Sequence, residues 1–158
     1  MKKSFKVGLG FGLASSVITT LGIMIGLESS TSSRLAVIGG IATIAIADAF
    51  SDALGVHIAK ESEGNFSTVE IWQATLATLF SKMVFTSTFL IPAILLPLPI
   101  ALLAAVIWGV IILLAQSFFL ARSNKSKAWP IIAEHLLIAA VVITSAHYLG
   151  QMLAIFLG

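Results

Sequence analysis

Five long apolar runs, separated by short polar or proline-containing connections, dominate the sequence. They cover residues 7–27, 35–59, 71–96, 100–121 and 129–157. A helix needs about 20 apolar residues to cross a bilayer, because lipid offers backbone groups no hydrogen-bond partners. The pattern therefore predicts an all-α, polytopic membrane protein, with residues 1–158 forming a single transmembrane domain of five transmembrane helices.

The composition agrees with lipid as the solvent for most of the chain. Of the 158 residues, 58% are hydrophobic and 10% are charged, whereas a soluble domain has roughly 45–50% apolar and roughly 25% charged residues. Too few polar groups are present to cover a surface that faces water. The sequence contains no cysteine, which excludes disulfides and thiolate metal sites. We therefore expect the lipid bilayer as the main partner and no binding of nucleic acid.

The first apolar run follows a basic start, as the core of a secretory signal peptide would. A signal peptide, however, has an apolar core of only about 7–15 residues and a small-residue cleavage site. The run over residues 7–27 is longer, and it ends in Glu28-Ser29-Ser30 without an A-x-A pattern. These features favour a retained transmembrane helix over a cleaved signal.

Basic residues lie almost entirely on one side of the predicted topology. That side contains seven of the nine, namely Lys2, Lys3, Lys6, Lys60, Arg122, Lys125 and Lys127. The other side has only Arg34, and Lys82 lies within a predicted helix. Because lysine and arginine are retained on the cytoplasmic side, we expect a cytoplasmic N-terminus in an integral protein of the cell membrane.

The first predicted helix contains two GxxxG pairs, Gly8 with Gly12 and Gly22 with Gly26. In lipid, small residues at this spacing let two helix backbones approach closely. One interpretation is packing within a single protomer, and the other is a dimer interface or the wall of a pore. The second interpretation predicts a homodimer with this helix at or near the interface.

The fourth apolar run has very few polar side chains. Gln116 is the only strongly polar one between Ile100 and Leu120. A helix of this composition has little with which to line an ion path. We therefore expect the fourth helix to face mostly lipid.

Two aspartates interrupt the second apolar run. Asp48 and Asp52 are four residues apart, so their carboxylates share one face of a helix. Counted from the end of the run, Asp48 lies about 16 Å deep at about 1.5 Å per residue, near the bilayer midplane. A charge at that depth is costly unless it is paired or hydrated, and such residues usually mark an ion or proton path. The pair either binds a transported cation or only bonds neighbouring helices.

Lys82 interrupts the third run at the same predicted depth as Asp48. An isolated buried ammonium is costly, and an aspartate at matching depth is its natural partner. We therefore predict a metal site formed by Asp48, Asp52 and the hydroxyl of Ser51, with Lys82 as the counter-charge. Two adjacent carboxylates repel each other, so the pair is expected to hold a proton. A cation that binds the pair can displace this proton. This displacement is the physical basis of metal–proton exchange.

A second set of polar residues is expected at the cytoplasmic mouth of this path. Carboxylates and imidazoles suit divalent ions such as Mn, Fe or Zn. The candidates for a cytoplasmic entrance are His57, Glu61, Glu63, Glu134 and His135. The alternative interpretation of these residues is an ordinary polar membrane boundary.

Two segments carry a family resemblance: residues 10–23 (GFGLASSVITTLGI) and residues 46–55 (IADAFSDALG), the latter followed by Glu61-Ser62-Glu63. Together they resemble the vacuolar iron transporter family, over about the first 65 residues. The resemblance implies five spans, a cytoplasmic N-terminus, a homodimer with a path along its first helices, and exchange of ferrous or manganous ions for protons. The chain departs from the family pattern at Phe11, where the family usually has an acidic residue before a glycine. Plant members also insert a metal-binding domain where this chain has only residues 60–70.

These observations leave three classes of function. The first is a transporter of a divalent cation of the Fe or Mn type, in which the ion is the substrate and not a resident cofactor. The second is a membrane-embedded Mg-dependent enzyme, because Asp-x-x-x-Asp can hold Mg; the CDP-alcohol transferases use such a pair within a longer pattern that this chain lacks. The third is a non-transporting membrane assembly protein, which would need no buried charges. We expect the transporter, and therefore not an enzyme.

Overall fold

The structure is a computed structural model in which residues 3–157 are described. The helices are α1 (Lys3–Thr31), α2 (Arg34–Thr43), a π-helical turn (Ile44–Asp48), α3 (Ala49–Ser62), α4 (Thr68–Thr88), α5 (Leu90–Leu95), α6 (Leu98–Ser123) and α7 (Ala128–Leu157). Five stretches are long and apolar enough to cross a membrane: span 1 (Lys3–Thr31), span 2 (Arg34–Ser62), span 3 (Thr68–Leu95), span 4 (Leu98–Ser123) and span 5 (Ala128–Leu157). The predicted all-α fold with five such helices is confirmed for these residues. Met1, Lys2 and Gly158 lie outside them, so the part of the basic start at Lys2 is not described.

Several helices continue past the apolar runs because polar residues cap their ends. At the start of α4, Ser67 Oγ accepts a hydrogen bond from Glu70 N at 3.4 Å, and Glu70 Oε2 accepts one from Ser67 N at 3.0 Å. This reciprocal pair is a capping box. Ser33 caps α2 by accepting a bond from Ala36 N at 3.2 Å. Hydrophobicity therefore predicts the spans, whereas the caps decide where these two helices begin.

Span 3 is broken at Phe89, between α4 and α5. Pro92 has no backbone N–H and cannot complete the helical bond to the carbonyl four residues earlier. From the start of span 2, the guanidinium of Arg34 donates to the carbonyl of Ala93 at 2.9 Å and to that of Ile94. It thereby satisfies carbonyl groups that the end of a helix leaves without helical partners.

Span 1 lies at the centre of the bundle and contacts every other span. One of its buried faces repeats every four residues: Ser4, Gly8, Gly12, Ser16, Thr20 and Met24. A buried face of α4 repeats in the same way: Ala74, Thr78, Lys82 and Thr86. A Cβ on Gly8 would overlap the carbonyl of Ala74, and one on Gly12 would lie 2.6 Å from the carbonyl oxygen of Thr78. Along this contact between span 1 and α4, which we call the close seam, a residue of span 1 faces a residue about 66 positions later in the sequence. The two backbones are too close here for any residue larger than glycine at positions 8 and 12.

The second glycine pair packs against span 5. A Cβ on Gly22 would lie 3.1 Å from Cγ1 of Val142, and one on Gly26 would lie 3.6 Å from the carbonyl oxygen of Ala146. On the facing helix, a Cβ on Gly150 would lie 2.6 Å from the carbonyl oxygen of Gly26. Both GxxxG pairs are therefore used for packing within one protomer, and they give no basis for a dimer interface on span 1. The homodimer itself stays a prediction.

Span 2 contains the π-helical turn. The buried residues of this span occur every four positions: Val37, Ile41, Ala45, Ala49 and Ala53. A regular α-helix has 3.6 residues per turn, so a strict spacing of four would drift around its axis. A π-helical turn takes up an extra residue. It therefore keeps one face of span 2 buried along its length, and it ends at Asp48.

Span 5, and not span 4, is the most exposed of the five. In α7 only Ala139 and Gly150 are buried, whereas α6 buries seven residues: Ala101, Ala105, Gly109, Ile112, Leu113, Ser117 and Ala121. Small side chains let span 4 approach span 1 closely, since a Cβ on Gly109 would lie 2.8 Å from Cδ1 of Leu21. The low polarity of span 4 therefore reflects contact with span 1 as well as an outward face.

Candidate functional site

Three charged side chains meet between spans 2 and 3. Nζ of Lys82 lies 2.5 Å from Oδ2 of Asp48 and also contacts Oδ2 of Asp52. Ser15 joins them from span 1, since Lys82 Nζ donates to its hydroxyl at 2.8 Å and that hydroxyl donates to Asp52 Oδ2 at 2.6 Å. We call these four residues, Ser15, Asp48, Asp52 and Lys82, the Lys82 cluster. The structure thus brings Lys82 to both aspartates, as the depth count in the sequence predicts.

The local structure explains why the side chains converge. Asp48 closes the π-helical turn and Asp52 lies one turn later in α3, so the two carboxylates share a helical face. Lys82 lies on the buried face of α4, within the close seam with span 1. The seam brings α4 near enough to span 1 for the short side chain of Ser15 to reach the ammonium.

The ammonium of Lys82 is buried among polar partners. Its side chain is 0% exposed, compared with 36% for Asp48 and 19% for Asp52. It donates hydrogen bonds to the hydroxyl of Ser15 and to the carboxylate of Asp52, and it forms an ion pair with Asp48. With every group ionised, the cluster has a net charge of −1. The more exposed carboxylate, that of Asp48, brings this negative charge nearest to the protein surface.

The Lys82 cluster lies at the middle of its helices. Asp48 is fourteen residues from either end of span 2, and Lys82 is fourteen residues from the start of span 3 and thirteen from its end. At about 1.5 Å per residue, each lies about 20 Å from the helix ends. The hydrocarbon core of a bilayer is about 30 Å thick. Spans that crossed such a core would hold the cluster near its midplane.

Ser51 is not part of the cluster. It is exposed, and no hydrogen bond among residues 3–157 joins it to either aspartate. It belongs instead to a stripe of exposed small residues on the outer face of span 2, which we call the span 2 stripe: Gly39, Thr43, Ala47, Ser51, Gly55 and Ala59. A Cβ on Gly39 or Gly55 would meet nothing within 4 Å. The predicted Ser51 hydroxyl is therefore replaced by that of Ser15, because residue 51 points away from the face that Asp48 and Asp52 share.

The first group of predicted entrance residues lies at the end of span 2. Nδ1 of His57 lies 3.0 Å from Oγ1 of Thr75, and its ring packs edge-on against Trp72 with centroids 5.0 Å apart. Glu61 and Glu63 follow and are exposed. His57 therefore contributes to packing between α3 and α4, and the two glutamates form a polar end to the span.

The second group of predicted entrance residues lies on span 5. Ser117 Oγ donates to the carbonyl of Leu113 at 2.6 Å, so it accepts the N–H of His135 Nδ1 at 2.8 Å. Glu134 is exposed. No group of three or more His, Asp or Glu side chains that could hold a metal occurs among the described residues. The five predicted entrance residues therefore do not form one metal-binding cluster in this part of the chain.

A groove of about 740 Å³ separates parts of spans 1 and 4. Its lining is mostly apolar and includes Phe11 and Trp108, with few polar groups such as Lys6 and His135. Gln116 also lines it and donates from Nε2 to the carbonyl of Gly10 at 2.7 Å. The polar side chain that the sequence singles out on span 4 therefore bonds span 1.

No family model matches the chain, and no curated protein or solved structure is significantly similar to it. The resemblance of the first 65 residues to the vacuolar iron transporter family therefore stays a prediction.

Proposed function

We propose that this protein moves a divalent cation across a membrane in exchange for protons, and that cation and protons compete at the Lys82 cluster. One observation carries the proposal: the buried ammonium of Lys82 lies between two carboxylates at the middle of two apolar helices. Carboxylate oxygens bind divalent cations at about 2.0–2.6 Å, so a cation bound by Asp48 and Asp52 would take the position of the ammonium. Lys82 then acts as a tethered cation that fills the site when no ion is bound.

Charge balance gives the expected exchange ratio. Without an ion, a charged Lys82, one protonated aspartate and one ionised aspartate sum to zero. With a divalent ion in place of the ammonium, two ionised aspartates and a neutral lysine again sum to zero. Two protons therefore leave for each ion that enters, one from an aspartate and one from Lys82. Both states are neutral, which limits the cost of holding the site away from water.

The sequence supports a proposal for the cargo and the orientation. Oxygen ligands without thiolates suit ions such as Mn²⁺, and the family resemblance favours Mn²⁺ and Fe²⁺ as the first ions to test. The distribution of lysine and arginine favours a cytoplasmic N-terminus, in a protein of the cell membrane. The ion enters and leaves as substrate, so this proposal needs no resident cofactor.

We further propose that the working form is a homodimer that associates through the span 2 stripe. Exposed small residues every four positions let a second helix approach closely in lipid. Asp48 lies next to Ala47 of this stripe and is 36% exposed. In a monomer this carboxylate would face lipid at mid-helix, where a charge is costly. A second copy packed on the stripe would cover it.

Proton movement in proteoliposomes tests the proposal directly. Addition of Mn²⁺ or Fe²⁺ to vesicles with wild-type protein is expected to drive proton counter-movement, detected with a pH-sensitive dye. Asp48→Asn should abolish it, because the amide keeps the shape of the side chain but cannot exchange a proton. Glu28→Gln removes a carboxylate near the end of span 1, outside the cluster, and should behave as wild type. Normal exchange by Asp48→Asn would refute the site assignment.

The pairing of Lys82 with both aspartates and with Ser15 favours a second candidate, a non-transporting assembly protein. In that case the cluster is a static ion-pair network that fixes spans 1, 2 and 3 to one another. The two candidates differ in the same assay, because a static network predicts no cation-dependent proton movement with the wild-type protein. A Mg-dependent enzyme has less support, since Asp48 and Asp52 lie in the middle of a long apolar span and not near its ends.

A further inference from the structure

Two threonine hydroxyls in the interior have no hydrogen-bond partner among residues 3–157. They are Oγ1 of Thr20 on span 1 and Oγ1 of Thr86 on span 3, and both residues are 0% exposed. Threonine in a helix commonly donates back to the carbonyl four residues earlier, as Thr19 does to Ser15 at 2.8 Å and Thr78 does to Ala74 at 2.9 Å. Thr20 and Thr86 make no such bond. Buried polar groups are almost always hydrogen bonded, so each exception calls for an explanation.

The register of the close seam brings these two threonines to the same level. Residues about 66 positions apart face each other at Gly8 with Ala74 and at Gly12 with Thr78. The buried faces of span 1 and α4 continue with the same spacing of four. Two turns further on, a continued register predicts Thr20 opposite Thr86. We therefore expect the two unpartnered hydroxyls to lie in one contact between the two helices.

This contact lies directly beyond the Lys82 cluster. Thr86 follows Lys82 by one turn on α4, which is about 6 Å along the axis. Thr20 lies just over one turn beyond Ser15 on span 1. Both threonines are therefore on the side of the cluster that is farther from the N-terminus. Beyond them, Met24 and Phe89 are fully buried in the apolar core.

We propose that Thr20 and Thr86 together bind one buried water molecule. Each hydroxyl offers one donor and acceptor lone pairs, and a buried water typically bonds two to four otherwise unsatisfied polar groups. Two neutral hydroxyls do not suit a bare divalent cation, which prefers carboxylate and carbonyl oxygens in larger number. One shared water gives both side chains a hydrogen-bond partner at once. Neither hydroxyl bonds the backbone of the opposite helix.

The water site also extends the polar path of the transporter, and this role rests on the proposed function. The threonine pair follows Ser15 and Lys82 along the two helices, so a water there would add a polar group on the side of the cluster that is farther from the N-terminus. Met24 and Phe89, which come next along the two helices, belong to the buried apolar core.

A double-mutant cycle tests the water site without any transport measurement. Thr20→Val and Thr86→Val keep the side-chain shape and remove one hydroxyl each. If the two share a water, either change alone is expected to lower the melting temperature of the purified protein, because it strands the remaining hydroxyl. The double variant should then be no less stable than the single ones. Thr144→Val, at an exposed position of span 5 outside the span 2 stripe, is the matched control and should leave the melting temperature unchanged.

Two results would overturn the proposal. A rise in melting temperature for each single variant would show that the two hydroxyls bind no water, because valine would then remove an unsatisfied polar group. Strictly additive losses in the double variant would show two independent sites. In either case, loss of exchange in Asp48→Asn would leave the proposed transport function intact.

The role of the water in transport has its own readout. Both single variants are expected to slow cation-driven proton movement at least tenfold, while Thr144→Val transports normally. Coupled stabilities together with no cation-driven proton movement by the wild-type protein would keep the water site and reject the transport function. Non-additive melting temperatures together with unaltered cation-driven proton movement in both threonine variants would show that the water is not part of the transport path.

Discussion

The hydroxyl of Ser15 accepts a hydrogen bond from Lys82 Nζ at 2.8 Å, although the two residues are 67 positions apart and lie on different spans. The same hydroxyl donates to Oδ2 of Asp52 at 2.6 Å. Ser15 therefore bridges the ammonium and the carboxylate that pairs with it. It also ties span 1 to the charged residues of spans 2 and 3.

Replacement of Ser15 by alanine should destabilise the protein through this bridge. The change leaves one N–H of a buried ammonium without an acceptor, which costs about 1–3 kcal/mol. Ser16→Ala is the matched control, because within residues 3–157 the Ser16 hydroxyl bonds only the nearby carbonyl of Leu13, at 2.7 Å. We expect thermal unfolding of purified protein to show a clearly lower melting temperature for Ser15→Ala than for Ser16→Ala. Equal melting temperatures would mean that the bridge contributes nothing to stability.

Removal of the Lys82 charge should destabilise the protein more than removal of all three charges in the cluster. Lys82→Met leaves two adjacent carboxylates without their partner, and breaking a buried ion pair costs about 3–5 kcal/mol. The triple variant Lys82→Met, Asp48→Asn, Asp52→Asn has no charge left at this position. It should recover most of the lost stability while remaining unable to exchange protons. The measurement is denaturant unfolding in detergent, and a triple variant less stable than Lys82→Met would contradict the assigned pairing.

Leucine at two glycines should distinguish packing within the protomer from association between protomers. Gly12→Leu places a side chain against the backbone of Thr78, where even a Cβ would lie 2.6 Å from the carbonyl oxygen. We expect this variant to fold poorly. A Cβ on Gly55 would meet no described residue within 4 Å, so Gly55→Leu should fold as wild type. Because Gly55 lies on the span 2 stripe, the same variant should weaken the homodimer.

Cross-linking in lipid and size-exclusion chromatography in detergent measure this association. A well-folded, monomeric Gly55→Leu variant and a dimeric wild-type protein would together support the span 2 stripe as the dimer interface. An unchanged dimer would move the interface elsewhere on the protein. A well-folded Gly12→Leu with normal thermal stability would contradict the close seam between spans 1 and 3.

Single cysteines can test the proposed orientation, because the natural sequence has none. Ser126→Cys lies in the basic connection between spans 4 and 5, and Ser32→Cys lies between spans 1 and 2. With a cytoplasmic N-terminus, a membrane-impermeant maleimide should label Ser32→Cys in intact cells. It should label Ser126→Cys only after the membrane is opened. The reverse pattern would invert the topology.

The sequence alone determined which segments form the spans and which charges share a face. Apolar runs specify membrane-length helices because an isolated backbone in lipid must bond itself. The spacing of Asp48 and Asp52 then specifies a common face through helix geometry alone. Depth counting brings Lys82 level with Asp48 for the same reason. Each of these properties depends on a single helix and its length.

Only the tertiary structure decided which hydroxyl joins the charges and what the glycines contact. Ser51 is adjacent to Asp52 in sequence but about 100° away around the helix, so it faces outward, while Ser15 arrives from span 1. Gly8 and Gly12 contact α4, whereas Gly22 and Gly26 contact span 5. A periodic pattern identifies a face of a helix, but not the helix that covers it. That choice depends on the packing of all five spans together, including the π-helical turn that keeps span 2 in register with span 3.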